Sequence, residues 1–124
     1  MQVFKTKVFA RFARREDIDD SMLCEAVRRT ERGLIDADLG GGLIKQRVGR
    51  KKAGRSGGYR TLIAYQRGNR CFFVYGFAKN ERDNLSADDL LRTRRTSEVL
   101  MSLTSKPLSD AIESGALIEV QCDA

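Results

Sequence analysis

Histidine is absent from all 124 residues of the chain. Without imidazole, any proton transfer must fall to Lys, Tyr, Asp, Glu, Cys or the substrate itself. The same absence removes most transition-metal sites, because carboxylates and scattered thiols are poor replacements. No metal or cofactor is therefore expected. Cysteine is scarce as well: Cys24, Cys71 and Cys122 are odd in number, far apart and in no CxxC arrangement. That usage argues against zinc and disulfide frameworks and fits a reducing cytoplasm, with small buried hydrophobes and one tail thiol. The first residues hold no apolar run like that of a signal peptide, and no segment reaches membrane-spanning length. Low-complexity tracts and internal repeats are also missing. What is there is one globular domain over 1–124, 41% hydrophobic and large enough to bury a core unaided.

One further absence is local. From Leu39 to Asn80 no residue is acidic, against ten basic ones: Lys45, Arg47, Arg50, Lys51, Lys52, Arg55, Arg60, Arg67, Arg70 and Lys79. The whole chain is +6, so the other residues, thirteen basic and seventeen acidic, sum to −4. Positive charge is thus concentrated on one stretch, with glycines and aromatics set among the cations. Such a field gathers a polyanion, and the commonest with that reach is nucleic acid.

Periodicity organises the rest. MQVFKT alternates as a short opening strand. TKVFARFARRED then sets Val8, Phe9, Phe12 and Ala13 on one helical face, with its basic residues solvated. A second helix begins at Asp19 or Asp20, buries Ile18, Met22, Leu23, Ala26 and Val27, and stops at Gly33. The two form a hairpin lying on a sheet. DADLGGG reads as a loop and LIKQRV as a strand, with Leu43, Lys45 and Arg47 on one face and Ile44, Gln46 and Val48 on the other. GRKKAGRSGG is an exposed loop. YRTLIAYQ and CFFVYGFA are strands joined by RGNR, a turn with Gly-Asn at its centre. With residues 43–48 they make an antiparallel meander in which 71–78, apolar on both faces, is central. Ser86 caps a helix that Lys106-Pro107 breaks; PLSDAIESG is a short helix closed by Gly115, and ALIEVQ a last short strand.

On this pattern Lys45, Arg47, Arg60 and Lys79 converge on one sheet surface. Four cations on rigid strands suit a phosphodiester and the extra charge of its transition state. Arg50, Lys51, Lys52 and Arg55 on the glycine loop are placed to grip flanking phosphates. Tyr59, Tyr65, Tyr75 and Phe77 either stack exposed bases or fill the core. The glycine spacing does not meet the phosphate-loop pattern of nucleotide hydrolases.

The order of these elements, with LIKQRV, GRSGGYR and FAKNERDNLS, resembles the RelE/HigB superfamily of toxins from type II toxin–antitoxin modules, and most closely its HigB-like branch. The resemblance covers nearly the full length. It implies an α+β, microbial-RNase-like fold: an N-terminal strand and helix hairpin packed on a mainly antiparallel sheet, with C-terminal helices. It also implies a cytoplasmic, metal-free endoribonuclease that cuts messenger RNA on the ribosome. In that mechanism the 2′-hydroxyl attacks the adjacent phosphate, and a cognate antitoxin, usually DNA-binding, silences the enzyme. By position, Lys45 and Arg47 match basic strand residues of the family's cleft, and Arg60 matches its transition-state arginine. Lys79 stands where the family often has a basic residue, and Asn80, expected to contact RNA, where RelE has a catalytic arginine. The family's tyrosine positions are Phe77 or Ser86 here. The general base is therefore open among Lys45, Tyr59, Tyr75 and Glu81. Two other readings of the basic face are a non-catalytic RNA- or ribosome-binding module and an interaction protein for an acidic partner.

Overall fold

In the computed structural model, which describes residues 1–49, 58–78 and 85–122, the chain opens with a strand, β1 (Gln2–Thr6), that runs straight into a helix, α1 (Lys7–Arg15). Thr6 makes the junction: its hydroxyl oxygen accepts from the Phe9 N–H at 3.1 Å, satisfying one of the first-turn donors. That cap fixes the phase of α1. Phe9, Ala10, Phe12 and Ala13 face inward, Phe9 lying 5.2 Å from Phe73 and Phe12 5.6 Å from Tyr59 between ring centres. Val8, expected in the buried stripe, is turned out and 59% exposed.

The second helix, α2 (Asp20–Glu31), is capped by Asp19, whose carboxylate accepts from the Met22 N–H at 3.1 Å. Gly33 ends it with φ +79°, a conformation that glycine alone adopts without strain, while the Gly33 and Leu34 N–H groups donate to Thr30 and Arg29 carbonyls. Five further strands and two helices follow: β2 (Ala37–Asp38), β3 (Leu43–Val48), β4 (Tyr59–Gln66), β5 (Arg70–Ala78), α3 (Ala87–Met101), α4 (Ser105–Ser114) and β6 (Leu117–Glu119). The described residues thus contain one sheet in the order β2-β3-β4-β5-β1-β6, antiparallel throughout except where β1 lies parallel to β5. β5 is central, as its two apolar faces require.

Three local expectations are corrected. The stretch read as a loop contains β2, two residues long and too short to show a period. The β4–β5 turn has three residues, Arg67, Gly68 and Asn69, between the paired Gln66 and Arg70, with Gly68 at φ +74°. Lys106-Pro107 does not break α3, which ends at Met101; Pro107 sits in the first turn of α4, where its missing N–H leaves no helical bond unmade.

Helices cover both faces of the sheet. Phe9, Phe12, Leu23, Val27, Ile44, Tyr59, Ile63 and Phe73 form the cluster under α1 and α2. Phe4, Phe72, Val74, Leu100, Leu108 and Leu117 form the one under α3 and α4. Among the described residues no helix is long and apolar enough to cross a membrane.

The cysteines depart from expectation. Cys24 and Cys122 form a disulfide with Cα atoms 5.6 Å apart, and only Cys71 is free. β6 is the cause. Pairing antiparallel to β1, it leads the chain back past α2, where Val120 N–H donates to Val3 and Gln121 N–H to the Asp20 carboxylate.

Candidate active site

Register decides which side chains meet. In β3, β4 and β5, Lys45 lies opposite Leu62 and Leu62 opposite Tyr75; Arg47 lies opposite Arg60 and Arg60 opposite Phe77. Partners directly opposite in antiparallel strands share a face. Lys45, Arg47 and Arg60 therefore occupy one face, with Tyr75 and Phe77, as alternation in LIKQRV foretold. The intervening residues Gln46, Thr61 and Gly76 point to the α1–α2 side. Gly76 is required there: a Cβ at that position would lie 2.4 Å from the Phe12 ring.

The strand that carries Lys45 and Arg47 is anchored from behind. Gln46 is 1% exposed, and its amide nitrogen donates to the Leu34 carbonyl at 2.7 Å and to the Thr30 hydroxyl at 3.0 Å. Its amide oxygen accepts from the Arg47 N–H at 2.9 Å. Beyond β2 the edge of β3 is covered by a side chain instead of a strand. Arg29 donates to the Arg47 carbonyl at 2.7 Å and is itself held by Glu25 at 2.8 Å. That guanidinium keeps the Glu25 carboxyl below its ordinary value.

An acid enters the cationic face through the tertiary structure. Oδ2 of Asp36 lies 3.3 Å from Arg60 Nε and 3.6 Å from Lys45 Nζ. The acid-free run of the sequence is therefore not an acid-free surface. Sequence reasoning missed Asp36, Gln46 and Arg29, since each acts through partners outside its own element: Asp36 on Lys45 and Arg60, Gln46 on Thr30 and Leu34, Arg29 on the Arg47 carbonyl.

The aromatics divide. Tyr59, expected to contact RNA, is 5% exposed, packs edge-on against Phe12 and reaches the Glu16 carbonyl with its hydroxyl at 3.4 Å. It neighbours Arg60 in a strand and so points to the opposite face, into the core; it cannot stack a base or abstract a proton at the cationic surface. Tyr65 packs on the α2 side, where burial raises its phenol above the ordinary value. Tyr75 stays on the cationic face, half-buried, donating to Asp89 Oδ2 at 3.4 Å. Phe77 floors a cavity of about 230 Å³ with Leu62, walled by Lys45, Leu39, Leu85 and Leu90. Arg94 of α3 donates to the Leu39 and Gly40 carbonyls, tying α3 to the turn that carries Leu39. Arg50, Lys51, Lys52, Arg55, Lys79, Asn80 and Glu81 lie outside the described residues.

Chemically, the face offers an apolar recess beside guanidinium and ammonium groups held on strands. Two arginines directly opposite in a sheet repel and weaken the pairing. An anion seated between them would offset that repulsion through charge-assisted hydrogen bonds. Among the described residues no cluster of His, Cys, Asp and Glu is arranged to hold a metal ion.

Residues 1–120 match the family model of the RelE toxin of the RelE/RelB toxin–antitoxin system. No curated protein matches the chain.

Proposed function

The chain belongs to the RelE toxin family, and from that premise we propose that it is an endoribonuclease that cleaves messenger RNA on the ribosome. Its mixed α+β architecture is consistent with a RelE-like fold. The observation that carries the reading is the cross-strand pair Arg47 and Arg60, with Lys45 on the same face. A scissile phosphate seated there places its non-bridging oxygens against cations whose strands are already ordered, so little reorganisation accompanies the reaction.

RNA supplies the nucleophile. The 2′-oxygen bonds to phosphorus as the bond to the 5′-oxygen breaks, leaving a 2′,3′-cyclic phosphate and a 5′-hydroxyl. One proton leaves the 2′-hydroxyl and one is taken up by the departing oxygen. Arg60 offsets the charge that builds on phosphorus's equatorial oxygens, and Lys45 and Arg47 hold and orient the phosphate. Among the described residues Lys45 and Tyr75, both on this face, are the candidates for proton transfer, and the burial of Tyr59 argues against that residue. Glu81, outside the described residues, stays a candidate. No step in this scheme uses a metal ion. The family's targets support the cytoplasm as the site of action. The Cys24–Cys122 disulfide removes the support that cysteine usage lent to a reducing compartment. An antitoxin that covers the cationic face silences the enzyme. The resemblance of LIKQRV, GRSGGYR and FAKNERDNLS to the HigB-like branch supports a reading of the chain as a toxin of that branch.

Inducible expression in a bacterium tests this, wild type beside Arg60→Ala, with primer extension on cellular messenger RNA. Growth arrest with new 5′ ends inside coding regions, both lost in the variant, is the expected result. Folded protein that leaves growth and transcripts intact would sink the nuclease reading in favour of a non-catalytic RNA-binding module.

A further inference from the structure

The carboxylate of Asp36 occupies the point on which the Arg60 and Lys45 side chains converge. One oxygen, Oδ2, faces both Arg60 Nε, at 3.3 Å, and Lys45 Nζ, at 3.6 Å. A carboxylate oxygen and a non-bridging phosphate oxygen are equivalent partners for these donors: each carries partial negative charge and accepts charge-assisted hydrogen bonds. From this we infer that Asp36 is a positioning residue, an internal placeholder for the RNA phosphate. It keeps Lys45 and Arg60 turned toward a common point until a phosphate replaces it.

The surroundings of Asp36 suit that exchange. Its backbone is fixed, because its N–H donates to the Lys45 carbonyl at 2.9 Å and the next residue, Ala37, pairs with Lys45 in the β2–β3 ladder. The side chain is the most solvent-accessible of the three, 31% exposed against 21% for Lys45 and 12% for Arg60. It can thus rotate toward water without breaking the sheet, while the backbones of Lys45 and Arg60 stay paired in β3 and β4. The partner that moves is the more exposed carboxylate, and a phosphate that takes its place restores a counter-charge to the largely buried Lys45 and Arg60, so the exchange leaves neither cation unpaired. Two cations this close would otherwise repel one another and splay apart. The placeholder therefore acts on both sides of the equilibrium. It arranges the empty site, and it competes with any phosphate that binds weakly.

The inference rests on the reading of Lys45 and Arg60 as phosphate ligands, and its test separates the two. The probe is a single-stranded RNA oligonucleotide 2′-O-methylated at every ribose, which binds but lacks the attacking hydroxyl. Its affinity is measured for wild type, Asp36→Asn, Asp36→Ala, Asp38→Asn, Arg60→Ala and the Asp36→Asn/Arg60→Ala pair, with thermal melting of each protein. Asp38 is the control: it carries the same charge two residues on, but its carboxylate accepts from the Gly40 N–H. Removing the competing charge at Asp36 tightens binding by roughly five- to tenfold, while Asp38→Asn stays within about twofold. In the Arg60→Ala background the gain disappears. A gain in affinity is a readout that a merely structural role does not produce. Equal effects of Asp36→Asn and Asp38→Asn, or no gain in either Asp36 variant, would overturn the placeholder while leaving the phosphate site standing. Unchanged binding by Arg60→Ala would instead remove the phosphate site, and the placeholder with it.

Discussion

Gln46 Nε2 donates to the Leu34 carbonyl at 2.7 Å, so a fully buried amide ties β3 to the segment that leaves α2. Lys45 and Arg47 flank it in the chain. Truncation to alanine would leave several groups without this partner at once, the buried Thr30 hydroxyl, the Leu34 carbonyl and the Arg47 N–H among them. We expect Gln46→Ala to cost about 2–4 kcal/mol in urea unfolding. It should also weaken RNA cleavage under conditions where the protein is still folded, because the strand bearing the cations loses its anchor. Loss of stability with undiminished single-turnover cleavage would show that β3 needs no such support.

Arg47 and Arg60 face one another across the ladder. Replacing Arg47 by alanine relieves a like-charge contact, so the melting temperature should hold or rise slightly. Cleavage should fall, by about 10²-fold or more for Arg60→Ala if it stabilises the transition state, and less for Arg47→Ala, which is more exposed. Activity and stability moving down together in Arg47→Ala would contradict a role in substrate contact.

Tyr59 is read as core. Tyr59→Phe keeps the ring against Phe12 and gives up a long hydrogen bond, so it should change stability by less than about 1 kcal/mol and leave cleavage intact. Tyr59→Ala should cost about 3–5 kcal/mol. A Phe variant that is stable yet inactive would return the hydroxyl to the catalytic list.

Burial pushes the Cys71 thiol up to about 12, from the ordinary value of 9.0. The direction of its linkage follows. Above pH 9 the unfolded chain releases this proton and the folded chain retains it, so the unfolded state is favoured as pH rises. The thiol's contribution is complete below pH 9 and is lost toward pH 12, with a slope approaching about 1.4 kcal/mol per pH unit. Denaturation curves of wild type and Cys71→Ala, compared between pH 8 and 11, isolate it from other alkaline titrations. Parallel curves would mean the thiol ionises as readily in the fold as outside it.

How much of this was legible in the sequence depends on range. Helix starts at Asp19 and Ser86, the strands of the meander and the shared face of Lys45 and Arg47 all follow from neighbours within a few residues. Arg60 follows too, once the strands pair. Tyr59 was open to the same reasoning: adjacent to Arg60 in a strand, it must point the other way. Its aromatic character outweighed that parity. Gln46 occupies a position where alternation calls for an apolar side chain, and only the carbonyls of α2 and its exit explain a buried amide there. Asp36 reaches the cations through a two-residue strand that has no periodic signature. Cys24 and Cys122, separated by 98 positions, meet because β6 returns along β1. No local pattern encodes such an encounter.

The placing of β1 has a consequence in time. Its neighbours are β5 on one side and β6 on the other, so Val3 meets Cys71 and Phe4 meets Glu119. A ribosome delivers the first strand early, yet its second edge is covered only when the last strand has emerged. Until then one edge of β1 stands bare, and closure must bring together β1 and β6, the strands furthest apart in sequence. Completion of the sheet is therefore deferred until β6, which follows every other strand of it, has left the ribosome.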